Sequence, residues 1–435
     1  MTVATLPRSV LSAAALVLAG SSLTAQTALP TASHRVRTLT DTLSGAVGGI
    51  AVDRIGFIYV ADFRDTVWKI TPDGRAAVHA TGLYGPSGNA IDSRGNLLQS
   101  NFAGNSISRI DRHGNVAGFA EGLRGPVGIA LTPGDTAYVC NCSSNDLSRV
   151  LPDGTVQPFA ASPLFRCPNG ITRGPDGHFY VVNFNNGDML KVTPTGRVSR
   201  FALLPGGGNG HITVAGGALY ATSLQGQQIH RITLDGAVTT IAGTGRVGER
   251  DGPGDSATFT FPNGIAAGPT GDRLYVNDFI NRYPPTIEVP PEPRFTVRQI
   301  KLASLGDIAR TALAAGGIDA MIEAYNPWKR ANPTLFTQIE INQLGYQLMG
   351  SGQLPGAIEL FELNVASYPQ SANVYDSLGE AYMNAGQKAQ AILNYEKSLQ
   401  LNPANTNATE MLKRLRGDST TSFTPLIRPA SHSPD

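Results

Sequence analysis

Six short stretches of the chain place a small or polar residue, a glycine and an apolar residue in loose succession. They read Gly48-Gly49-Ile50, Ser87-Gly88-Asn89, Val127-Gly128-Ile129, Asn169-Gly170-Ile171, Asn209-Gly210-His211 and Asn263-Gly264-Ile265. The residues ahead of the glycines are mostly amides and hydroxyls, so a ring built from them offers hydrogen bonds and neutral oxygen atoms but no anionic group. Ser87, Asn89, Asn169, Asn209, His211 and Asn263 are therefore the candidate ligand-binding residues. His211 reads either as a satisfied structural histidine or as a channel ligand group. An asparagine before a glycine also suits a turn with positive φ, which is the structural alternative for Asn169, Asn209 and Asn263. A second polar set, Asp62, Asn101, Asn141, Asn183, Ser223 and Asp278, falls where second strands end. Its two carboxylates suit local bracing of the loops that follow.

The elements that position these residues follow from their spacing. The middle glycines, Gly49, Gly88, Gly128, Gly170, Gly210 and Gly264, lie 39, 40, 42, 40 and 54 residues apart. Tyr59, Leu98, Tyr138, Tyr180, Tyr220 and Tyr275 keep the same beat, and so do the turn glycines Gly74, Gly114, Gly154, Gly196 and Gly236. Within each period, runs of four to six residues alternate and are broken by turn chemistry, as at Pro72-Asp73-Gly74. Four short strands per roughly 40 residues make a propeller blade. The expected fold is a six-bladed β-propeller of four-stranded blades. The sixth blade offers Val297–Lys301 as its third strand and then turns helical. The missing strand is expected from Val36–Leu39, near the N-terminus, so that the ring closes and loses its free edges. Two insertions, Ala242–Phe261 and the proline-rich Tyr283–Pro293, interrupt the beat. In such a ring the loops leading into the first strands lie near the axis, which brings the candidate residues to one mouth of a central channel. The cysteines gain positions too. Cys140 and Cys142 flank Asn141 at the end of a second strand, and Cys167 leads into the fourth blade on the same face. An odd number of cysteines leaves a thiol free or paired with another chain, and Cys142–Cys167 is the expected disulfide.

Beyond residue 303 the composition shifts to Ala, Leu, Gln and Asn with helical periodicity. Two units of 34 residues align without gaps: Leu344, Gly345, Leu348, Ala357, Phe361 and Pro369 match Leu378, Gly379, Tyr382, Ala391, Tyr395 and Pro403. Ser304–Pro333 reads as a degenerate first unit, and Leu412–Leu415 as part of a capping helix. The pattern resembles the tetratricopeptide repeat, which implies an all-α array with a surface for a protein partner. At the other end, Arg8, the apolar run Val10–Ala19 and Ala25-Gln26 read as a cleavable export signal, implying a secreted or periplasmic protein. No later apolar run approaches the length of a membrane span. A net charge of +1 gives no reason to expect nucleic acid. The expected organisation is a signal peptide at 1–25, the propeller at 34–302, helical repeats at 303–416 and a disordered tail at 417–435.

Cys167-Pro-Asn-Gly-Ile-Thr-Arg-Gly-Pro-Asp-Gly and Phe261-Pro-Asn-Gly-Ile-Ala-Ala-Gly-Pro-Thr-Gly resemble the Pro-Asn-Gly segments of the senescence-marker/gluconolactonase family. Tyr59-Val-Ala-Asp62, Ala242-Gly-Thr-Gly and Asp251-Gly-Pro-Gly resemble bacterial NHL-repeat propellers, and streptogramin lyases share the general blade pattern. The resemblance covers roughly residues 35–302. It implies a channel metal, a divalent cation such as calcium, held by a glutamate, two asparagines and an aspartate, polarising a lactone carbonyl. By position Asn169 matches one family asparagine and Asn209 falls at the aspartate. Gly48 stands at the glutamate, and Val127 at the other asparagine. The lyase comparison implies a histidine–glutamate pair, for which this chain offers His211 and, in the first insertion, Glu249. Two functions follow as expectations. One is a recognition module for a small molecule or peptide at the propeller face and a protein at the helical repeats. The other is a metal-dependent lactonase or esterase-like hydrolase.

Overall fold

The computed structural model describes residues 34–280, 293–331 and 337–417. The export signal, most of the proline-rich insertion and the C-terminal tail expected from the sequence lie outside them. Five blades are four-stranded antiparallel meanders, and the sixth sheet joins the first and last strands of the propeller. The innermost strands of the blades are Ile50–Val52, Pro86–Ile91, Pro126–Leu131, Pro168–Arg173, Asn209–Ala215 and Pro262–Ala267. In blade six, Arg273–Ile280 and Arg294–Lys301 follow, and Arg35–Thr38 supplies the outer strand, pairing Val36 with Ile300 and Thr38 with Arg298. The N-terminal segment thus closes the ring.

The turn glycines show why the beat exists. Gly114 has φ 90°, open to glycine at little steric cost. A Cβ there would also lie 2.0 Å from the His79 carbonyl oxygen of the preceding blade. Gly74 makes the same approach to Leu39, just past the N-terminal strand, so that segment occupies the place of an ordinary fourth strand.

Each blade buries its faces against its neighbours, and the apolar interior forms six wedges, one per blade boundary. Between blades three and four, for example, Tyr138, Cys140 and Leu147 meet Ile171, Phe179 and Val181. Between blades six and one, Tyr275, Phe295 and Val297 meet Ile50, Ile58 and Val60. The closing strand enters this interior through Val36.

Among the described residues the chain then forms six helical elements: α1 (Leu305–Ala331), α2 (Gln338–Gly350), α3 (Leu354–Ser367), α4 (Ala372–Asn384), α5 (Lys388–Leu401) and α6 (Thr406–Arg416). Helix α1 breaks at Gly316-Gly317, where Gly317 has φ 72°, so it is a helix pair in itself. The 34-residue equivalence has a packing cause. A Cβ on Gly345 would meet the Phe361 ring at 2.6 Å, and one on Gly379 would meet Tyr395 at 3.1 Å. Helix α6 ends on Gly417 in the left-handed conformation.

Candidate functional site

The first and second strands of a blade are antiparallel, so the start of one and the end of the other share a face of the ring. Pro86, Pro126, Pro168 and Pro262 pair with Asn101, Asn141, Asn183 and Asp278. Asn209 pairs with Ser223, so it occupies the proline position. The isoleucines agree: Ile129, Ile171 and Ile265 pair with Val139, Val181 and Val276, whereas in blade five Ile212 pairs with Ala221. Blade five is therefore displaced by one residue from the alignment that its sequence suggests. Gly210 stands where Ser87, Val127, Asn169 and Asn263 stand, and His211 stands where the other blades carry glycine.

Contacts around the axis confirm this. Neighbouring inner strands approach so closely that a Cβ on Gly49 would lie 2.7 Å from Gly88 Cα. One on Gly88 would lie 2.7 Å from Gly128 Cα, and one on Gly170 would lie 2.6 Å from His211 Cα. His211 thus puts an imidazole into the innermost ring, where the five equivalent residues have no side chain. Asn89, expected to be its counterpart, instead pairs with Gln99 at the isoleucine position.

The candidate residues divide by what they touch. Asn169 donates Nδ2 to the carbonyls of Asn209 (3.1 Å) and Gly210 (2.8 Å), and Asn263 donates Nδ2 to those of Val47 (2.9 Å) and Gly48 (3.1 Å). These amides stitch blade four to five and six to one. None of Asn169, Asn209 and Asn263 has positive φ, so the turn explanation does not hold; cross-blade bonding does. The Ser87 carbonyl accepts from Gly49 N–H (2.8 Å) and Gln99 Nε2 (3.0 Å), and Ser87 itself is buried.

Asn89, Asn209 and His211 differ in keeping buried polar atoms without partners: Asn89 Oδ1, Asn209 Oδ1 and His211 Nε2. Such atoms are disfavoured unless water or a ligand meets them. Asn209 is anchored by Nδ2 to the Asn186 carbonyl at 3.2 Å, and His211 by its backbone N–H to Thr222 Oγ1 at 3.0 Å. Burial pulls the His211 imidazole down to about 4, so it is neutral at physiological pH.

The residues ending the second strands brace loops. Asp62 accepts N–H bonds from Arg64, Asp65 and Thr66 at 2.8–3.1 Å. Burial holds its carboxyl above the usual range against those bonds. Asp278, fully buried, accepts from Thr260 and Phe261 N–H and faces Arg298 Nη1 at 3.4 Å. Burial pushes it up to about 7. Arg298 also donates to Asp251 at 2.6 Å, whose other oxygen accepts from Thr38 N–H at 2.7 Å. This network ties the closing strand to the first insertion and the last blade.

The donors suit a divalent cation poorly. Asn169 turns its amide nitrogen to backbone carbonyls, and Gly48, Val127 and Gly210 bring no side-chain oxygen. Among the described residues no group of three His, Cys, Asp or Glu could hold a metal.

Cys142 and Cys167 are joined by a disulfide with Cα atoms 4.0 Å apart, linking blade three to blade four on the mouth face. Cys140 is a buried thiol whose ionisation burial pushes well up. The rim of the mouth carries one further set of side chains. The residues directly after the second strands' final polar positions are all apolar or disulfide-bonded: Phe63, Phe102, Cys142, Phe184, Leu224 and Phe279. The signal that reveals them is the same beat, read one residue later.

A sequence-family profile described as the Virginiamycin B lyase family matches residues 80–279, and one described as Tetratricopeptide repeat matches residues 372–405. No curated protein matches the chain. Among solved structures, virginiamycin B lyase from Staphylococcus aureus is 20% identical over 62% of this chain and 99% of that one, with a TM-score of 0.44. A gluconolactonase from Xanthomonas campestris is 17% identical over 62% and 90%, with a TM-score of 0.47. An auxiliary nutrient binding protein from Bacteroides thetaiotaomicron is 14% identical over 62% and 77%, with a TM-score of 0.51. The chain is a six-bladed propeller, similar over residues 80–279 to the Virginiamycin B lyase family, followed by a tetratricopeptide-like helical array. Among the described residues, no helix is long and apolar enough to cross a membrane.

Proposed function

We propose that this is an exported recognition module that holds a small ligand at the propeller mouth and a partner protein on its helical array. The observation that carries the reading is the axial group in blade five. Asn209 Oδ1 and the neutral His211 keep unpartnered polar atoms at two positions that blades two, three, four and six fill with proline and glycine. A solved propeller of the same fold described as an auxiliary nutrient binding protein supports a binding role by analogy alone. The test is ligand screening by thermal shift on the full chain, followed by His211→Gly and Asn209→Ala. His211→Gly installs the residue that five blades already carry there, so the ring keeps its backbone packing. Loss of the ligand's stabilisation in both variants is the expected result; unchanged stabilisation overturns the assignment.

The hydrolase alternative calls for a divalent ion, calcium included, with Asn169 among its ligands. Stoichiometric metal in the purified protein, together with lactone hydrolysis lost in Asn169→Ala, would favour it over the binding role. Export rests on the N-terminal sequence pattern, and N-terminal sequencing of the mature chain tests it at Ala25-Gln26.

A further inference from the structure

The apolar positions that follow the second strands form a collar around the mouth. Their backbone N–H groups are fixed to the loops that lead into the first strands. Phe102 N–H donates to Gly85 O (2.8 Å), Phe184 N–H to Cys167 O (2.9 Å), Leu224 N–H to Gly208 O (2.9 Å) and Phe279 N–H to Phe261 O (3.3 Å). The collar bridges blades. A Cβ on Gly125, in the third blade's loop, would lie 3.1 Å from the Phe102 ring, and the Cys142–Cys167 disulfide spans the equivalent pair one blade on. Phe63 packs against Phe102 with centroids 5.7 Å apart and ring planes tilted by 40°, and it remains 40% exposed, while its backbone takes a positive φ of 57°. A bulky side chain at positive φ is strained, and a strained residue that presents an aromatic ring to solvent calls for a reason. Tyr84, 72% exposed, lies against the turn after Phe102, its carbonyl accepting from Ala103 and Gly104 N–H.

The buried groups at the mouth bring no free charge. Asp62 and Asp278 are buried on backbone N–H donors, the amides and Ser87 are neutral, and burial keeps His211 neutral. Apolar walls with a few convergent polar atoms are the composition of small-molecule sites. Resting on the binding role proposed above, we infer that the mouth takes an uncharged ligand with an aromatic or apolar body, its body against the Phe collar and its hydrogen-bonding end toward Asn209 and His211. Arg124 and Arg166 stand exposed one residue before Gly125 and Cys167, which makes an aromatic anion the rival class.

Three isosteric probes separate these classes: 2-naphthylmethanol, 2-naphthoate and 2-naphthylmethylammonium, titrated against the full chain by saturation-transfer NMR. The expected result is that the alcohol binds at least about tenfold more tightly than either ion, the order set by burying an unpaired charge against apolar walls. Phe184→Ser should weaken the alcohol by about tenfold, the worth of one buried ring contact. Tyr84→Ser, at an exposed position that leaves the fold untouched, should weaken it less, and thermal midpoints of both variants report on folding. Equal or tighter binding of an ion, no binding of any probe, or indifference to both rim variants overturns the inference. The two readings fail separately. Ion binding that depends on His211 removes the ligand class and keeps the axial site. Rim-dependent binding of the alcohol that ignores both His211→Gly and Asn209→Ala keeps the class and removes the axial site.

Discussion

The disulfide sits on a position built for glycine. Cys167 has φ 52°, and the residues in the same place in blades two, three and five are Gly85 (φ 66°), Gly125 (φ 59°) and Gly208 (φ 57°). A left-handed conformation costs a side-chain-bearing residue about 1–2 kcal/mol, so blade four stores that strain to hold its cross-link. Against it stands the loop the bond closes, with a sequence separation of 25 residues. Loop-closure entropy for that length stabilises the fold by about 3.5 kcal/mol at 25 °C. Cys142→Ala should therefore lose about 3.5 kcal/mol, because it removes the bond and leaves the strain. Cys167→Gly removes both and should lose only about 2 kcal/mol, while Cys167→Ala should resemble Cys142→Ala. The assay is urea unfolding of the propeller at neutral pH, with and without reductant, alongside thiol counting. Oxidised denatured wild type should show one thiol, from Cys140, and reduced wild type three. If Cys167→Gly is no more stable than Cys167→Ala, the strain argument is wrong. If reductant leaves the wild-type midpoint unmoved, the cross-link argument is wrong.

Arg298→Met should destabilise the ring by about 3 kcal/mol by stranding buried Asp278, and limited proteolysis should then release the Arg35–Thr38 strand first; a protected N-terminus would refute the latch. Burial pulls His34, His211 and His230 down to about 4, so their contribution is present above pH 6.5 and lost as pH falls toward 4. Asp278, raised to about 7, works the other way, its contribution lost as pH rises through 7. The sum is a net loss of about 3 kcal/mol between pH 7 and pH 5, read from urea midpoints, and greater stability at pH 5 would contradict it. Gly345→Val should weaken the helical array by about 1–3 kcal/mol, since its Cβ would enter the Phe361 ring, and loss of helical circular dichroism at lower temperature is the readout.

Sequence alone was enough for the repeat, the number of blades, the closure and the paired helices. Each blade must solve the same contact with its neighbour, so Gly114 and its counterparts recur at one spacing because a Cβ there would strike the preceding blade. The closing strand was legible for a related reason: blade six turns helical after three strands, and Val36–Leu39 precedes the first repeat with a strand pattern to supply the fourth. Blade five shows where that logic ends. Asn209-Gly210-His211 reads like Ser87-Gly88-Asn89, and a slip of one residue leaves composition and spacing almost unchanged. Only the pairing of Asn209 with Ser223 fixes the register, and it moves His211 from beside the ring into it. The collar was likewise hidden, because a phenylalanine after a strand says nothing alone; six equivalent positions become a surface only when the ring brings them together. Local pattern determined what each blade is, while cross-strand register decided which side chains reach the axis.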